Sequence, residues 1–224
     1  MKQKAVLLVL CICLYRVCGY AELSGSEKVQ HNASDINEVL GRLEEKISGM
    51  QTLQTGFIQE KNLAIFNQKV VLKGTVYMQK PALFAWHTEE PVRYSLIIKG
   101  NVVYQWDEDT NQVQRISLSK KPAFKTVIGQ MRKWFSGVYT SLLGEYDVVI
   151  LSDNPVSLKF IPRKTAVASD VISSVTVVFR EDERYIYQIY IEEKSGDSTL
   201  LTFVDTLLNI PLDAAVWMAK PRVQ

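Results

Sequence analysis

The segment Lys73–Pro91, KGTVYMQKPALFAWHTEEP, contains two strand-like patterns separated by a Lys-Pro break. In the first pattern Val76 and Met78 alternate with more polar residues, and in the second Phe84 and Trp86 stand one residue apart. Alternation with a period of two is typical of half-buried β-strands, so Phe84 and Trp86 should share one face of a sheet. Two large aromatic side chains on one face can fill a core, line a cavity or form a binding surface.

The same alternation extends over much of the chain. Residues 94–106 form a hairpin pattern around Gly100-Asn101, and the polar stretch DEDTNQV (107–113) marks a second turn. Residues 146–161 form another hairpin pattern, and residues 173–208 contain three strand patterns separated by two polar turns. Short strands at close intervals predict an antiparallel sheet of seven or more strands, in a sandwich or a barrel.

A helical period replaces the alternation in two segments. In the first, Asp35 and Glu38 resemble a capping box, and apolar residues recur every three or four positions as far as Met50. This pattern predicts an amphipathic helix over roughly residues 35–50, with an apolar face that must pack against another element.

The second helical pattern runs from Pro122 to Leu143 and interrupts the strands. Gly129 and Gly137 weaken a continuous helix, so two short helices or one kinked helix are expected. Both helical segments have one apolar face, and the most economical packing places these faces against the concave side of a curved sheet. Phe84 and Trp86 would point into the same space.

The first 21 residues resemble a secretory signal peptide. A basic start precedes the apolar run 5–15, which is too short to cross a bilayer core of about 30 Å. Gly19 and Ala21 provide small residues at the positions required for cleavage before Glu22. We therefore expect an exported protein that is cleaved near Ala21, with residues 22–224 forming one domain.

All three cysteines, Cys11, Cys13 and Cys18, lie in this predicted signal peptide. The mature chain therefore lacks the thiols for a disulfide scaffold or a Cys-ligated metal site. Cys18 follows Tyr-Arg-Val rather than small residues, which does not suit a lipoprotein cleavage site, so no lipid anchor is expected.

The net charge of the mature chain argues against nucleic-acid binding. The full chain has 26 basic and 24 acidic residues, and three of the basic ones, Lys2, Lys4 and Arg16, lie in the predicted signal peptide. The remaining 23 basic residues against 24 acidic ones give a charge near −1, without the basic excess typical of nucleic-acid-binding domains.

Residues suited to catalysis are sparse. The only histidines are His31, in a polar N-terminal stretch, and His87, which alternates out of phase with Trp86 and is expected at the surface on the opposite face of its strand. No zinc-protease, nucleophile-elbow, P-loop or dinucleotide-binding motif occurs. The pairs Glu89-Glu90 and Glu192-Glu193 fall at strand ends, where carboxylates are usually solvated. We expect a protein that is not an enzyme, with no metal and no cofactor, and that binds an apolar ligand.

Four segments resemble blocks of the LolA family of periplasmic lipoprotein carriers. The first is GTVYMQKPALFAWHTEEP (74–91), with a strand glycine, a basic residue before proline, Phe-x-Trp and a second proline. The others are IIKGNVVYQWDEDTNQV (97–113), FIQ (57–59) and LTFVDTLLNIPLDAAVWMAKP (201–221). Each match is short, but together they follow the family's order along most of the mature chain.

The resemblance implies a mainly β fold of the α+β kind: an incomplete antiparallel β-barrel, or half-barrel, with amphipathic helices acting as a lid over a hydrophobic cavity. It implies a periplasmic carrier that takes triacylated lipoproteins from an inner-membrane LolCDE-type ABC transporter. It also implies delivery to an outer-membrane LolB-type receptor, whose existence the sequence does not establish. The carrier is expected to be a monomer and not to bind nucleic acid.

The resemblance also assigns roles to particular residues, for which the alternative is ordinary core packing. Lys80 occupies a position that is commonly Arg in the family, where it is implied to latch the lid by hydrogen-bonding its backbone. Residues expected to line the acyl-chain cavity are Ile47, Leu53, Phe84, Trp86, Leu96, Ile98 and Trp106, and residues expected on the lid are Phe124, Ile128, Met131 and Trp134.

Two other functions remain open at this point. The same cavity would serve a periplasmic carrier of free lipid or glycolipid. A similar half-barrel would also serve as an envelope sensor or interaction domain that binds a protein partner.

Overall fold

The computed structural model describes residues 33–220, apart from the side chains of residues 33, 34, 122–124, 126–127 and 167. The predicted signal peptide 1–21, the cleavage near Ala21 and His31 lie outside the described residues. Within the described part of the chain, neither α-helix is both long and apolar enough to cross a bilayer.

The N-terminal half consists of one helix followed by six strands. The elements are α1 (Ala33–Ser48), β1 (Thr52–Leu63), β2 (Gln68–Gln79), β3 (Leu83–Glu90), β4 (Tyr94–Lys99), β5 (Val102–Asp107) and β6 (Val113–Ser117). Helix α1 forms where the sequence predicts it, because the side chains of Leu40, Leu43 and Ile47 recur on one buried face.

The C-terminal half begins with a helix and continues with five strands. The elements are α2 (Pro122–Ser136), β7 (Tyr146–Asp153), β8 (Val156–Pro162), β9 (Ile172–Phe179), β10 (Ile186–Glu193) and β11 (Ser198–Leu208). Residues 33–220 also contain five short 3₁₀ helices between or after these elements, among them Ala64–Phe66, Thr140–Gly144 and Ala214–Trp217.

All eleven strands form one antiparallel sheet in the order β6-β5-β4-β3-β2-β1-β11-β10-β9-β8-β7. Each half is a meander, and the halves join where β1 pairs with β11, with Phe57 opposite Phe203. The sheet stays open, so β6 and β7 are its two edges and α2 connects them. The predicted incomplete antiparallel barrel is confirmed, with more strands than the minimum that the sequence indicated.

Helix α2 is continuous through Gly129 and ends at Ser136 with Gly137 as its C-cap, and a short 3₁₀ helix follows at Thr140–Gly144. Of the two short helices that the sequence allows between Pro122 and Leu143, the boundary therefore falls at Gly137 and not at Gly129. Gly137 adopts a left-handed conformation with φ of 77°. A Cβ at this position would lie 2.6 Å from Cγ2 of Ile47. Glycine is therefore required both by the backbone turn and by the close approach to α1.

The main hydrophobic core lies between the two helices and one face of the sheet. We call this the inner face and the opposite one the outer face. A second, smaller core lies on the outer face, where Ala85, Ile97 and Trp106 pack with Ala219, and Trp217 packs against this group. Strand β4 is buried on both faces because it contributes to both cores.

Candidate functional site

The strand register arranges the inner face in rows of side chains that run across the sheet. One row contains Leu53, Met78, Phe84, Ile98 and Val103, which occupy directly opposed positions on five successive strands. All five are at most 5 % exposed. Because directly opposed residues share a face, this row forms an apolar floor beneath the helices.

The next two rows lie further from the turn that joins β4 to β5. The second row contains Thr55, Val76, Trp86, Leu96 and Gln105, and the third contains Phe57, Gly74, Thr88, Tyr94 and Asp107. The rings of Phe57 and Trp86 connect these rows, with centroids 4.4 Å apart.

Helix α2 packs on the inner face through aromatic contacts with both halves of the sheet. Phe135 lies between Phe84 of β3 and Phe203 of β11, at centroid distances of 5.2 and 5.6 Å. Trp134 meets Phe160 of β8 edge-on at 4.6 Å. The helix therefore bridges the open side of the sheet with its apolar face turned inward, which is the arrangement of a lid.

Six of the seven residues predicted to line the cavity lie in the main core between the helices and the sheet. All six are at most 7 % exposed. They are Ile47, Leu53, Phe84, Trp86, Leu96 and Ile98. The structure thus brings these six together, while a role in contacting acyl chains stays a prediction.

Trp106 is the exception, and the expectation that it belongs with the other six is wrong. It pairs with Ser95, one position out of phase with Leu96 and Ile98, and it lies in the small core of the outer face. Its indole N–H donates to Oδ1 of Asn111 at 3.2 Å.

The predicted lid residues that the structure describes all face the core. Ile128 is 1 % exposed, Trp134 is buried, and Met131 is half-buried against the core. The side chain of Phe124 lies outside the described residues. Sequence reasoning missed Phe57, Phe135 and Phe203 as members of the aromatic cluster, although each occupies an inward position of its helical or alternating pattern.

A small cavity lies between the helices and the sheet. It has a volume of about 20 Å³ and is lined by side chains of α1, α2, β1 and β11, including Ile47, Leu53, Phe135 and Phe203. This volume is about what one water molecule occupies. A ligand larger than water does not fit this cavity unless the helices move, and the larger hydrophobic cavity expected from the sequence stays a prediction.

Polarity on the inner face increases with distance from the floor row. Gln59 and Lys61 are inward-facing residues of β1 and are 6 % and 8 % exposed. The Lys61 ammonium pairs with Oε1 of Glu193 at 2.9 Å, which makes this buried charge tolerable. Burial raises the pKa of Tyr94, whose hydroxyl accepts a hydrogen bond from Gln105 at 2.9 Å. The inner face is thus apolar under α2 and polar toward one end.

The predicted latch residue, Lys80, lies just after β2 and is half-buried. Burial lowers the pKa of its amine, and among the described residues its side chain has no hydrogen-bond or ion-pair partner. A different residue joins the lid to the sheet: Nη2 of Arg132, on α2, donates to the carbonyl oxygen of Gly100 at 2.5 Å. Gly100 is in the turn between β4 and β5.

Polar contacts also join α2 to the start of β7. Lys133 Nζ lies 2.8 Å from Oε1 of Glu145. Gln130 also donates to Glu145, and it accepts a hydrogen bond from the Tyr146 hydroxyl at 2.5 Å. These partners precede or begin β7, so α2 is tied at the sheet edge opposite Gly100.

His87 lies on the outer face, as the alternation predicts, but it is half-buried rather than a surface residue. Its Nε2 donates to the carbonyl oxygen of Val216 at 2.7 Å, and its Nδ1 accepts from the Ser95 hydroxyl at 2.8 Å. The C-terminal segment 214–217 covers it, and burial lowers the pKa of the imidazole. Within residues 33–220, no group of three or more His, Cys, Asp or Glu residues is placed to hold a metal.

Comparison with known proteins agrees with this arrangement. Residues 48–219 match the family model described as outer membrane lipoprotein carrier protein LolA. The outer-membrane lipoprotein carrier protein of Legionella pneumophila is 21 % identical over 188 residues, covering 80 % of this chain and 84 % of the relative. The corresponding protein of Coxiella burnetii is 22 % identical over 213 residues, covering 89 % and 88 %.

A solved structure supports the fold. A chain in the Pseudomonas aeruginosa MucA/MucB complex superposes with a TM-score of 0.52 at 14 % identity, covering 83 % of this chain and 61 % of that one. At 14 % identity this likeness shows that the two proteins share a fold of sheet and helices, and no more.

Proposed function

This chain belongs to the LolA family of outer membrane lipoprotein carrier proteins, and we propose that it carries lipoproteins across the periplasm by burying their acyl chains between α2 and the inner face of the sheet. The observation that carries the proposal is the apolar floor row, which is covered by a helix linked to the sheet mainly by side-chain contacts. The family and the named relatives support a binding protein rather than an enzyme.

The energetics of lid and cargo are compatible with reversible loading. Four apolar side chains of α2 face the core, and burying each contributes roughly 1.5–3 kcal/mol, or roughly 6–12 kcal/mol together. An acyl chain of about 15 methylenes is worth roughly 12 kcal/mol on the same scale. A triacylated cargo has three such chains, so burying them outweighs the lid contacts that they replace, and the lid can close again once the chains leave.

The partners follow from the proposed task. The cargo is a triacylated lipoprotein, received from a LolCDE-type transporter in the inner membrane and delivered to a LolB-type receptor where one exists. The signal peptide expected from the sequence would place the mature carrier, residues 22–224, in the periplasm.

The test is release of lipoproteins from spheroplasts by the purified mature protein. We expect newly made triacylated lipoproteins to appear in the supernatant as a soluble one-to-one complex with the carrier. Phe84→Glu places a carboxylate on the buried floor row and should abolish release, whereas Val71→Glu, at an exposed strand position, should not. Circular dichroism of both variants checks that they fold, and Phe84→Ala replaces Phe84→Glu if that variant does not.

Two other outcomes would contradict the proposal. Absence of release together with a phospholipid or glycolipid in the natively purified protein, detected by mass spectrometry, would make it a carrier of free lipid. Absence of both would leave the interior as an ordinary core and favour a domain that binds a protein partner.

A further inference from the structure

We propose that the inner face contains a polar subsite, formed by Nε1 of Trp86 and Oγ1 of Thr88, that binds the carbonyl oxygens joining acyl chains to the cargo's lipid head. The inference rests on the proposed carrier function and adds to it. It assigns part of the inner face to recognising how the chains are attached rather than their hydrocarbon.

The first argument is that both polar atoms are buried without a partner. Trp86 is 7 % exposed and Thr88 is 2 % exposed, and neither Nε1 of Trp86 nor Oγ1 of Thr88 has a hydrogen-bond partner among residues 33–220. Buried polar groups are nearly always paired, because leaving one unpaired costs its full desolvation. Two unpaired groups on one strand, two residues apart, therefore indicate a site whose partner comes from outside the chain.

The second argument is that comparable residues elsewhere in the chain are satisfied. The indole N–H of Trp106 donates to Asn111. The hydroxyl of Thr55, also buried on the inner face, lies 2.7 Å from that of Thr206 and 3.1 Å from the carbonyl oxygen of Val204. The fold thus pairs the indole N–H of Trp106 and the hydroxyl of Thr55, and the two unpaired atoms belong to the inner face of β3.

The third argument is the position of the pair along the gradient of polarity. Phe84, two residues before Trp86, contacts the lid through Phe135, whereas Thr88 lies directly opposite Tyr94 in the more polar third row. Trp86 therefore stands between the apolar floor and the polar end. A ligand with hydrocarbon tails and a polar head would lie along the strands with its carbonyl groups at this boundary.

The chemistry of the atoms selects the ligand group. An indole N–H only donates, and a threonine hydroxyl can donate, so both are satisfied by acceptor oxygens. Hydrocarbon offers no acceptor, while the ester and amide carbonyls at the root of acyl chains do. Residues two apart in a strand are about 7 Å apart, so the donors can serve carbonyls on different chains. The ring of Phe57 packs against that of Trp86, with centroids 4.4 Å apart, and so fixes the orientation of the indole on this face.

The experiment compares dioctanoylglycerol with the dioctyl diether of glycerol, which has the same tails without carbonyl oxygens. We expect the wild-type protein to bind the diester about fivefold to tenfold more tightly, the difference that one or two buried hydrogen bonds produce. Thr88→Val should lower the ratio of the two affinities, because it removes one of the two donors to the carbonyl oxygens. Equal affinities in the wild type would overturn the subsite but leave the carrier function standing, whereas binding of neither lipid would overturn both.

Stability of the unliganded protein gives a second readout. Thr88→Val removes an unpaired hydroxyl, so the denaturation midpoint should rise, whereas Thr55→Val removes a paired one and should lower it. A fall in the midpoint for Thr88→Val would mean that the hydroxyl already has a partner and would overturn the proposal. In a ¹H–¹⁵N spectrum, the Trp86 indole proton should move downfield with the diester only, and the Trp106 indole should not move.

Discussion

At the scale of single residues, His87 shows how one polar side chain fixes a segment of chain to the sheet. Because the carbonyl of Val216 can only accept, Nε2 of His87 bears the proton, and Nδ1 is free to accept from Ser95. A neutral imidazole satisfies both partners, and burial of the ring favours this form. The ring packs edge-on against Tyr77, and Glu89 is the charged group that favours its protonation, but burial has the larger effect.

The neutral imidazole predicts a loss of stability on acidification. The folded-state pKa of His87 is below that of the unfolded chain, about 6.5, so only the unfolded state binds a proton as the pH falls below that value. Stability contributed by the neutral ring is fully present above pH of about 6.5 and declines below it. Urea denaturation midpoints between pH 8 and pH 5 should therefore fall more steeply for the wild type than for His87→Gln.

The comparison has a built-in control, because both proteins retain His31 and the carboxylates, which contribute equally to the two slopes. If the urea midpoints of the wild type and His87→Gln fell equally with pH, the imidazole would be protonated to the same extent in the folded and the unfolded wild-type chain. At pH 8 the variant should be the less stable protein, since it loses the bond to segment 214–217.

At the scale of elements, the two helices and the hairpins could be predicted because their signals are local. The two-residue turn at Gly100-Asn101 pairs Lys99 with Val102, and counting from that pair places Trp106 opposite Ser95 on the outer face. The sequence therefore contained the information that corrects the Trp106 assignment. The pairing of β1 with β11, and the packing of residues 214–219 on the outer face, join positions far apart in the chain, and no local pattern specifies them.

No local sequence pattern shows which polar side chain holds α2 against the sheet. In the part of the chain that the structure describes, Arg132 makes such a contact and Lys80 does not, so we expect Arg132 to be the main latch. Replacing Arg132 with Leu removes a charge-assisted hydrogen bond to Gly100, so closure should weaken by about 1 kcal/mol. Lys80→Leu should leave the fold intact and change closure less. Binding of an apolar fluorescent dye, which reports exposed inner face, should increase most in the Arg132 variant.

Lys73→Leu is a suitable control, because this lysine is 56 % exposed and its ion pair with Glu90 is at the surface. A larger effect of Lys80→Leu than of Arg132→Leu would make Lys80 the main latch, as the family resemblance implies. Unchanged lipoprotein transfer by the Lys80 variant would remove Lys80 from the latch altogether.

At the scale of the whole molecule, the sheet and the lid are held by different kinds of contact. Strands β1 and β11 at the centre of the sheet are paired on both sides, so separating the two halves means breaking a full ladder of backbone hydrogen bonds. Helix α2 satisfies its own backbone and is attached by side chains. A ligand that takes over those side-chain contacts should therefore free the helix and leave the sheet unchanged.

Amide hydrogen exchange can show separately whether the lid helix α2 and the central strands of the sheet open. On loading with dioctanoylglycerol, amides of α2 (Pro122–Ser136) should exchange faster, because acyl chains replace Trp134 and Phe135 on the inner face. Amides of β1 and β11 should stay protected, because the central pairing is unaffected. Gly129→Ala, where the added methyl meets no other atom within 4 Å, should strengthen the helix by about 0.5–1 kcal/mol and slow α2 exchange before loading. Greater protection of α2 in the loaded protein would mean that the ligand binds without displacing the helix, and α2 would then be a fixed wall of the site rather than its lid.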